Sequence, residues 1–502
     1  MRLTPGERKE KKISDSNRPQ PLSRTQRAGR WIGPIVFGAM LLLEPLQSSM
    51  SAEAWRAAAV GLWMATWWAS EAIPLPATAM LPLVLFQPLG LASIRAAAAP
   101  YAHPSIFLFL GGFIMALALE RWGLHRRIAL AVLARTGTEG KRLIGGFMLV
   151  CAGLSMWMTN TSTTMMLLPI VLSVIAVLRE QVSGIGDEQH GHFALALLLG
   201  LAFSASIGGL GTLIGTPPNA LLVGYLADNH DIEISFARWM LVGIPVSLVL
   251  LPTAWWVLTC HLFKVNIPAS AAVQEHLATM RRELGPMRVA ERRVAIVFAC
   301  LVAGWMLRVP LQKMFGIVGL SDTSIAIAAA IVLFLVPSSD PQQRYLMRWE
   351  DTSRLPWGVL VLFGGGLSLA AMVDQSGLAL WLGQSLAPLN GYGVALLMLA
   401  AVTLTIFLTE LTSNLATTAT LLPVMGAIAL QAGLPPLLLT VPVTIAASCA
   451  FMLPVATAPN AIVFSTGRIR ISDMVRAGVW LNLLAIVVVW VTGRFAAPAL
   501  LS

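Results

Sequence analysis

Ser155-Met-Trp-Met-Thr159-Asn160-Thr161-Ser162-Thr163-Thr164 is a run of hydroxyls and one amide inside an otherwise apolar segment that closes with Leu167-Leu168-Pro169. The chain writes the pattern again as Thr409-Glu-Leu-Thr412-Ser413-Asn414-Leu415-Ala416-Thr417-Thr418, closing with Leu421-Leu422-Pro423. With Asn160 laid over Asn414, Thr159 falls on Ser413, Thr163 on Thr417, Thr164 on Thr418 and Pro169 on Pro423. The hydroxyls of Ser155 and Thr409 also coincide. A polar cluster repeated at one depth in both halves of an apolar chain points to a two-fold binding site.

The surroundings make such clusters costly. Of 502 residues, 57% are hydrophobic and 12% charged, with a mean hydropathy of +0.75; an average soluble chain is about 25% charged. Apolar runs near the roughly 20 residues a helix needs to cross a bilayer recur from Trp31 to the C-terminus. The chain reads as an all-α polytopic membrane protein. Its first run follows a long charged tail, lacks a small-residue cleavage site and precedes many others, which makes it an anchor and not a cleaved signal.

The formal charge of +10 does not argue for nucleic acid, because 28 of the 34 Lys and Arg fall in 1–30, 121–142, at Arg179, and in 264–293, 344–354 and 468–476. Clustering in alternate loops is the positive-inside bias, so this charge sets topology. Cys151, Cys260, Cys300 and Cys449 lie in apolar runs without CxxC spacing and read as buried small hydrophobes.

Taken in order, 1–30 is a disordered basic cytoplasmic tail and 31–54 holds an extra first span. A first repeat covers 55–263, with spans at about 55–72, 77–97 and 104–120. An interfacial amphipathic stretch over 122–142 follows. The run 143–177 has cytoplasmic signatures at both flanks, so it enters and leaves on one side as a re-entrant hairpin with the first polar cluster at its tip. Glycines and prolines in Gly208-Gly-Leu-Gly-Thr-Leu-Ile-Gly215-Thr216-Pro-Pro-Asn219 break the next span near Gly215 to Pro218.

A span at 236–263 then leads to a cytoplasmic linker, 264–293. The second repeat, 294–502, has the opposite orientation: spans at 294–314, 320–337 and 356–376, a loop at 338–355, an interfacial stretch at 377–390, a hairpin at 391–432 opening from outside, a broken span at 435–465 and an exit at 474–497. Val455-Ala456-Thr457-Ala458-Pro459-Asn460-Ala461 mirrors Ile214-Gly215-Thr216-Pro217-Pro218-Asn219-Ala220. This arrangement gives about 11 transmembrane helices, the N-terminus inside and the C-terminus outside. An unprocessed basic N-terminus suits a bacterial inner membrane.

Each half thus sets a hairpin tip beside a broken helix. Helix N-termini present free N–H groups and partial positive charge to an anion. Unwound carbonyls and Ser/Thr hydroxyls are oxygen ligands for a small monovalent cation. Asn160 and Asn414 carry donor and acceptor and can bridge the two. The site so assembled contains no Lys or Arg, and importing a dianion against about −100 mV costs roughly 2 × 2.3 kcal/mol, so co-bound cations are needed. Glu410 stands as either a proton carrier or a cap for the tip, and Glu71 as a structural residue at a span end.

The doubled motifs, with Glu71-Ala-Ile-Pro-Leu-Pro, Gly211-Thr-Leu-Ile-Gly-Thr-Pro-Pro-Asn219 and Leu453-Pro-Val-Ala-Thr-Ala-Pro-Asn460, resemble the divalent-anion/sodium symporter family, carriers of dicarboxylates, citrate and sulfate. The resemblance covers everything after the tail. It implies a homodimer in which each transport domain moves its site past a fixed scaffold as an elevator, and sodium ions as coupling ions with no other cofactor. It implies one sodium at Ser155, Thr159, Asn160 and Gly215 and a second at Thr409, Thr412, Asn414 and Ala456. Substrate carboxylates would meet Asn160, Thr161, Thr216, Ser413, Asn414 and Thr457. The chain departs from the family at Thr159, usually Ser, at Leu415, often Thr, and at Ala458, where a second Pro is expected.

The expected function is sodium-coupled import of a di- or tricarboxylate by alternating access, with an exchanger or proton-coupled carrier on the same fold as the alternative. An intramembrane enzyme would need a nucleophile–base pair or metal motif, and the sequence has no HExxH and no GxSxG.

Overall fold

Ser23 starts the first helix. Its hydroxyl accepts from the Gln26 N–H and the Gln26 side chain accepts from the Ser23 N–H, a capping box that opens α1 (Arg24–Leu43). The computed structural model describes residues 23–181, 186–316, 319–386 and 393–501. The expected tail over 1–30 is therefore corrected: residues 24–30 are helical, and 1–22 lie outside the described residues.

After α2 (Ala52–Ser70), Glu71 adopts a left-handed conformation (φ 48°) and its N–H donates to Trp67 O as the C-cap. The span expected at 77–97 is not one helix. Prolines 74, 76, 82 and 88 remove donors and crowd the preceding turns, leaving α3 (Leu75–Thr78), α4 (Leu81–Leu85) and, after a turn, α5 (Ile94–Ala98). The Tyr101 hydroxyl donates to Ala79 O and ties these pieces together. Then come α6 (Pro104–Arg121), the amphipathic α7 (Leu124–Thr136), α8 (Gly140–Ser155), α9 (Asn160–Gln181), α10 (Asp187–Gly209), α11 (Pro217–His230) and α12 (Phe236–Trp256). The linker is partly ordered, holding α13 (Ala271–Glu283).

The second half runs through α14 (Val289–Phe315), α15 (Asp322–Leu335), α16 (Trp357–Gln375), α17 (Leu378–Leu386), α18 (Val394–Thr409), α19 (Asn414–Gln431), α20 (Leu437–Ala447), α21 (Ala458–Phe464), α22 (Ile471–Val491) and α23 (Ala497–Leu501). Of the stretches expected at 377–390 and 391–432, residues 387–392 lie outside the described residues. The loop expected at 338–355 instead contains a small antiparallel pair, β1 (Pro337–Asp340) with β2 (Gln343–Tyr345), in register Pro337↔Tyr345. Among the described residues, nine helices are long and apolar enough to cross a membrane.

The two hairpins and two broken helices interlock. The first hairpin arm packs on the first half of the following broken helix in both repeats, α8 on α10 and α18 on α20. The second half of each broken helix crosses to the other repeat: α11 packs on α19, and α21 on α9 and α10. Burial follows from this. In α10, 83% of its most apolar window is buried, against 17% in α14, so α10 is at the centre of the bundle and α14 at its rim. The same contrast corrects the cysteines: Cys151 and Cys449 are buried, but Cys300, on α14, is exposed.

Candidate functional site

The hairpin turns repeat one set of hydrogen bonds. Ser155 Oγ lies 2.7 Å from the Asn160 Oδ1 position, and Thr409 Oγ1 donates to Asn414 Oδ1 at 2.9 Å. Thr164 Oγ1 donates to Asn160 O and Thr418 Oγ1 to Asn414 O, each at 2.8 Å. Thr159 caps α9, its Oγ1 accepting from the Ser162 N–H at 3.2 Å. Ser155 with Thr409, Asn160 with Asn414 and Thr164 with Thr418 therefore do the same structural work, whereas Ser413, the mate of Thr159, makes no side-chain cap.

The breaks match as closely. The chain leaves α10 at Gly209 and restarts helically at Pro217; it leaves α20 at Ala447 and restarts at Ala458. Asn219 Nδ2 donates to Gly209 O (3.3 Å) and Thr212 O (2.8 Å), while Asn460 Nδ2 donates to Ala450 O (3.4 Å) and Leu453 O (3.0 Å). Both asparagines are fully buried. Each bridges two carbonyls at its break. They stand in motifs legible in the sequence, but no role was visible for them there.

Around the first tip, the amide atom of Asn160 that faces Ser155 Oγ lies 3.0 Å from Ala205 O and 3.3 Å from Gly215 O. As a nitrogen this atom has two N–H donors to share among these three acceptors. As an oxygen it accepts from the Ser155 hydroxyl and faces the two carbonyl oxygens with no donor between them, a contact that a bound cation would relieve. The amide fits a small monovalent ion only with its oxygen in that place, because an NH2 group cannot ligate a cation.

One cavity of about 730 Å³ joins both tips and both breaks. All six expected substrate residues line it: Asn160, Thr161, Thr216, Ser413, Asn414 and Thr457. Of the expected cation residues, Thr159, Asn160, Gly215, Asn414 and Ala456 line it as well, while Ser155 and Thr409 are fully buried behind the asparagines they bond. Thr412 differs. It is not in the lining, and its Oγ1 donates to Leu408 O (3.0 Å) and meets Thr417 Oγ1 (2.5 Å), so its hydroxyl is turned back onto its own helix. The helices α9, α11 and α19 all begin at lining residues; α9 and α19 present first-turn N–H groups there, whereas α11 opens on Pro217-Pro218, which have none. The expectation of a site without Lys or Arg needs one correction, since Arg354 lies in the lining.

A family model described as the sodium:sulfate symporter transmembrane region matches residues 26–501. The chain belongs to this family. Among relatives in the sodium:sulfate symporter family, the sodium-dependent dicarboxylate transporter SdcS of Staphylococcus saprophyticus is 41% identical over 481 residues, covering 95% of this chain and 92% of that one. The protein of the same name from Staphylococcus aureus strain USA300 is 39% identical over 497 residues, covering 98% and 95%. Solved structures share the fold at low identity. MtrF of Neisseria gonorrhoeae, described as one of a class of antimetabolite efflux pumps, aligns with a TM-score of 0.55 at 13% identity over 80% of this chain and 83% of its own. The YdaH transporter of Alcanivorax borkumensis aligns at 0.52 and 16% over 95% and 99%.

Three further features of this family member support the site. Glu410, 3% exposed, accepts from the backbone N–H groups of Phe451 (2.7 Å), Met452 (2.9 Å) and Leu453 (3.0 Å) and from Asn482 Nδ2 (2.7 Å). Every partner is a donor, so the carboxylate fits and a protonated acid would have no acceptor to meet. Of its two expected roles, this geometry suits the cap. The first repeat does the same job without charge: Met156 falls on Glu410, its carbonyl accepts from Thr212 Oγ1, and Thr212 Oγ1 accepts from the Gly215 N–H at 3.1 Å.

The third feature had no sequence signal. Gly243 on α12 lies against Leu210 O, and Gly478 on α22 lies against Phe451 O, in such close approach that a Cβ at either would lie 2.3 Å from the carbonyl oxygen. In each repeat, a glycine on the helix after the broken one lets backbone meet backbone at the break.

Proposed function

We propose that this chain is a secondary active transporter that imports a dicarboxylate coupled to sodium. The observation that carries the reading is the single cavity in which both Asn-centred tips and both breaks converge, in a chain about 40% identical over nearly its full length to sodium-dependent dicarboxylate transporters. One sodium is held by Ser155, Thr159, Asn160 and Gly215, the second by Thr409, Asn414 and the backbone carbonyls of Thr412 and Ala456. The substrate carboxylates are held by Asn160, Thr161, Thr216, Ser413, Asn414 and Thr457. With Glu410 committed to backbone N–H groups, sodium carries the coupling and the carboxylate does not shuttle protons.

Hairpins and broken helices form the moving transport domain, and α1 to α6 with α14 to α16 form the scaffold of a homodimer, working as an elevator. The cavity reaches Glu71, Glu120 and Arg354, on the face that loop charges assign to the cytoplasm, so this conformation is open inward. The N-terminus is cytoplasmic and the C-terminus periplasmic. Radiolabelled succinate uptake into proteoliposomes tests the reading. An inward sodium gradient should drive uptake, and replacing sodium with potassium should remove it. Uptake that ignores sodium and requires internal dicarboxylate would make the protein an exchanger and withdraw both cation sites.

A further inference from the structure

The cavity extends from the hairpin tips to a charged rim that coupling does not require. Its lining there includes Glu71, Glu120 and Arg354, the last being the one Lys or Arg among the described lining residues. Arg354 Nη2 lies 2.5 Å from Glu120 Oε1, with side chains 58% and 32% exposed. An ion pair so open to water has little net stability, so neither group is committed to the other. The contact engages one nitrogen of the guanidinium, leaving other N–H donors of a planar fork that matches a carboxylate.

The backbone beneath Arg354 is fixed, by contrast. Arg121 pairs with Asp351 and donates from Nε to Gln343 Oε1 at 2.9 Å. Trp122 Nε1 donates to Leu346 O at 2.8 Å, and Trp357 Nε1 to Thr352 O at 2.9 Å. The 3₁₀ turn Trp349–Arg354 is thereby pinned to the end of α6, the helix that carries Glu120.

The rim is also one-sided. In the register that lays Asn160 over Asn414, Glu120 falls on Asp374 and Gly123 on Gly377, but Arg354 falls on Pro100. The acid is repeated and the cation is not. The two approaches to a two-fold site therefore differ by a positive charge.

We propose that Arg354 is a second carboxylate-binding point at the mouth of the cavity, on the face the loop charges assign to the cytoplasm, where a dicarboxylate takes the place of Glu120 as it enters or leaves. This rests on the dicarboxylate reading above. The site would hold substrate only on that side, so it sets the internal affinity apart from the external one.

The test is the ratio of internal to external KM for succinate, from sodium-driven transport in right-side-out and inverted membrane vesicles. Arg354→Gln should raise the ratio about tenfold, the scale of one charge-assisted hydrogen bond. Glu120→Gln should lower it, because the guanidinium is then free for substrate. Arg354→Lys keeps the charge and should shift the ratio less than Gln; if Arg354→Gln does not fold, the opposite signs of Arg354→Lys and Glu120→Gln decide. An unchanged ratio in the Arg354 variants, or Arg354 and Glu120 variants moving it the same way as a merely structural pair would, overturns the proposal. Wild-type vesicles without sodium-driven uptake overturn the transport reading and this site with it, whereas sodium-driven uptake with an unshifted ratio overturns only the rim site.

Discussion

Asn160→Ala and Asn414→Ala are each expected to abolish sodium-driven succinate uptake while leaving a folded protein. In the proposed site each amide meets both a cation and a carboxylate, and charge-assisted hydrogen bonds contribute about 1.5–3 kcal/mol each. Losing two lowers transport about a hundredfold or more. Folding should survive, because α9 keeps its Thr159 cap and the asparagines lie at hairpin turns, not in the packed helix arms. The measurement is uptake per mole of reconstituted protein, with size-exclusion profile and sodium-free melting temperature as the folding controls. Retained uptake in both variants would remove the asparagines from the site.

Gly243→Ala and Gly478→Ala are expected to have the other large effect, this time through the backbone. The atom a Cβ would strike is a main-chain carbonyl oxygen, Leu210 O or Phe451 O, which has no rotamer to yield. Overpacking typically costs about 1–3 kcal/mol, and displacing either break also moves Gly215 or Ala456 relative to its hairpin tip. Each variant should therefore melt lower and transport at least about tenfold less. Gly153→Ala is the contrast. It sits in the last turn of α8 with nothing within 4 Å of an added Cβ, and should be neutral or stabilising by about 0.5–1 kcal/mol. Equal behaviour of all three variants would show that the close approaches do not matter.

The sequence made the polar half of this architecture readable. Asn160 and Asn414, their partners Ser155 and Thr409, and the proline-marked restarts at Pro217 and Ala458 all carry side chains whose chemistry is conspicuous in an apolar run. Their spacing survives the inversion of the repeat, so position in one motif foretold position in the other. What remained hidden depends on contacts distant in sequence. The partners of Glu410 are at 451–453 and 482, so one residue suggested a proton carrier as readily as a cap. Gly243 and Gly478 look like any glycine in a span until Leu210 and Phe451 are brought against them. The third span failed for a local reason: its hydropathy fits a crossing, but Pro82 and Pro88 within it do not allow one helix. Arg354 was counted only among loop charges, because its nearness to the cavity follows from the pinned turn after β2.

Two symmetry-related tips that bind sodium and then substrate are the centre of this account, and binding tests it more directly than transport does. The measurement is the melting temperature of the purified protein as sodium is titrated against potassium at constant ionic strength, with and without succinate. A ligand at about 100 times its Kd stabilises by about 2.7 kcal/mol, which is readily resolved. The account predicts stabilisation by sodium alone, sigmoidal in concentration, a further rise with succinate only when sodium is present, and loss of both in Asn160→Ala and Asn414→Ala. Succinate that stabilises equally well in potassium, or sodium that stabilises the two alanine variants as it does the wild type, would contradict it.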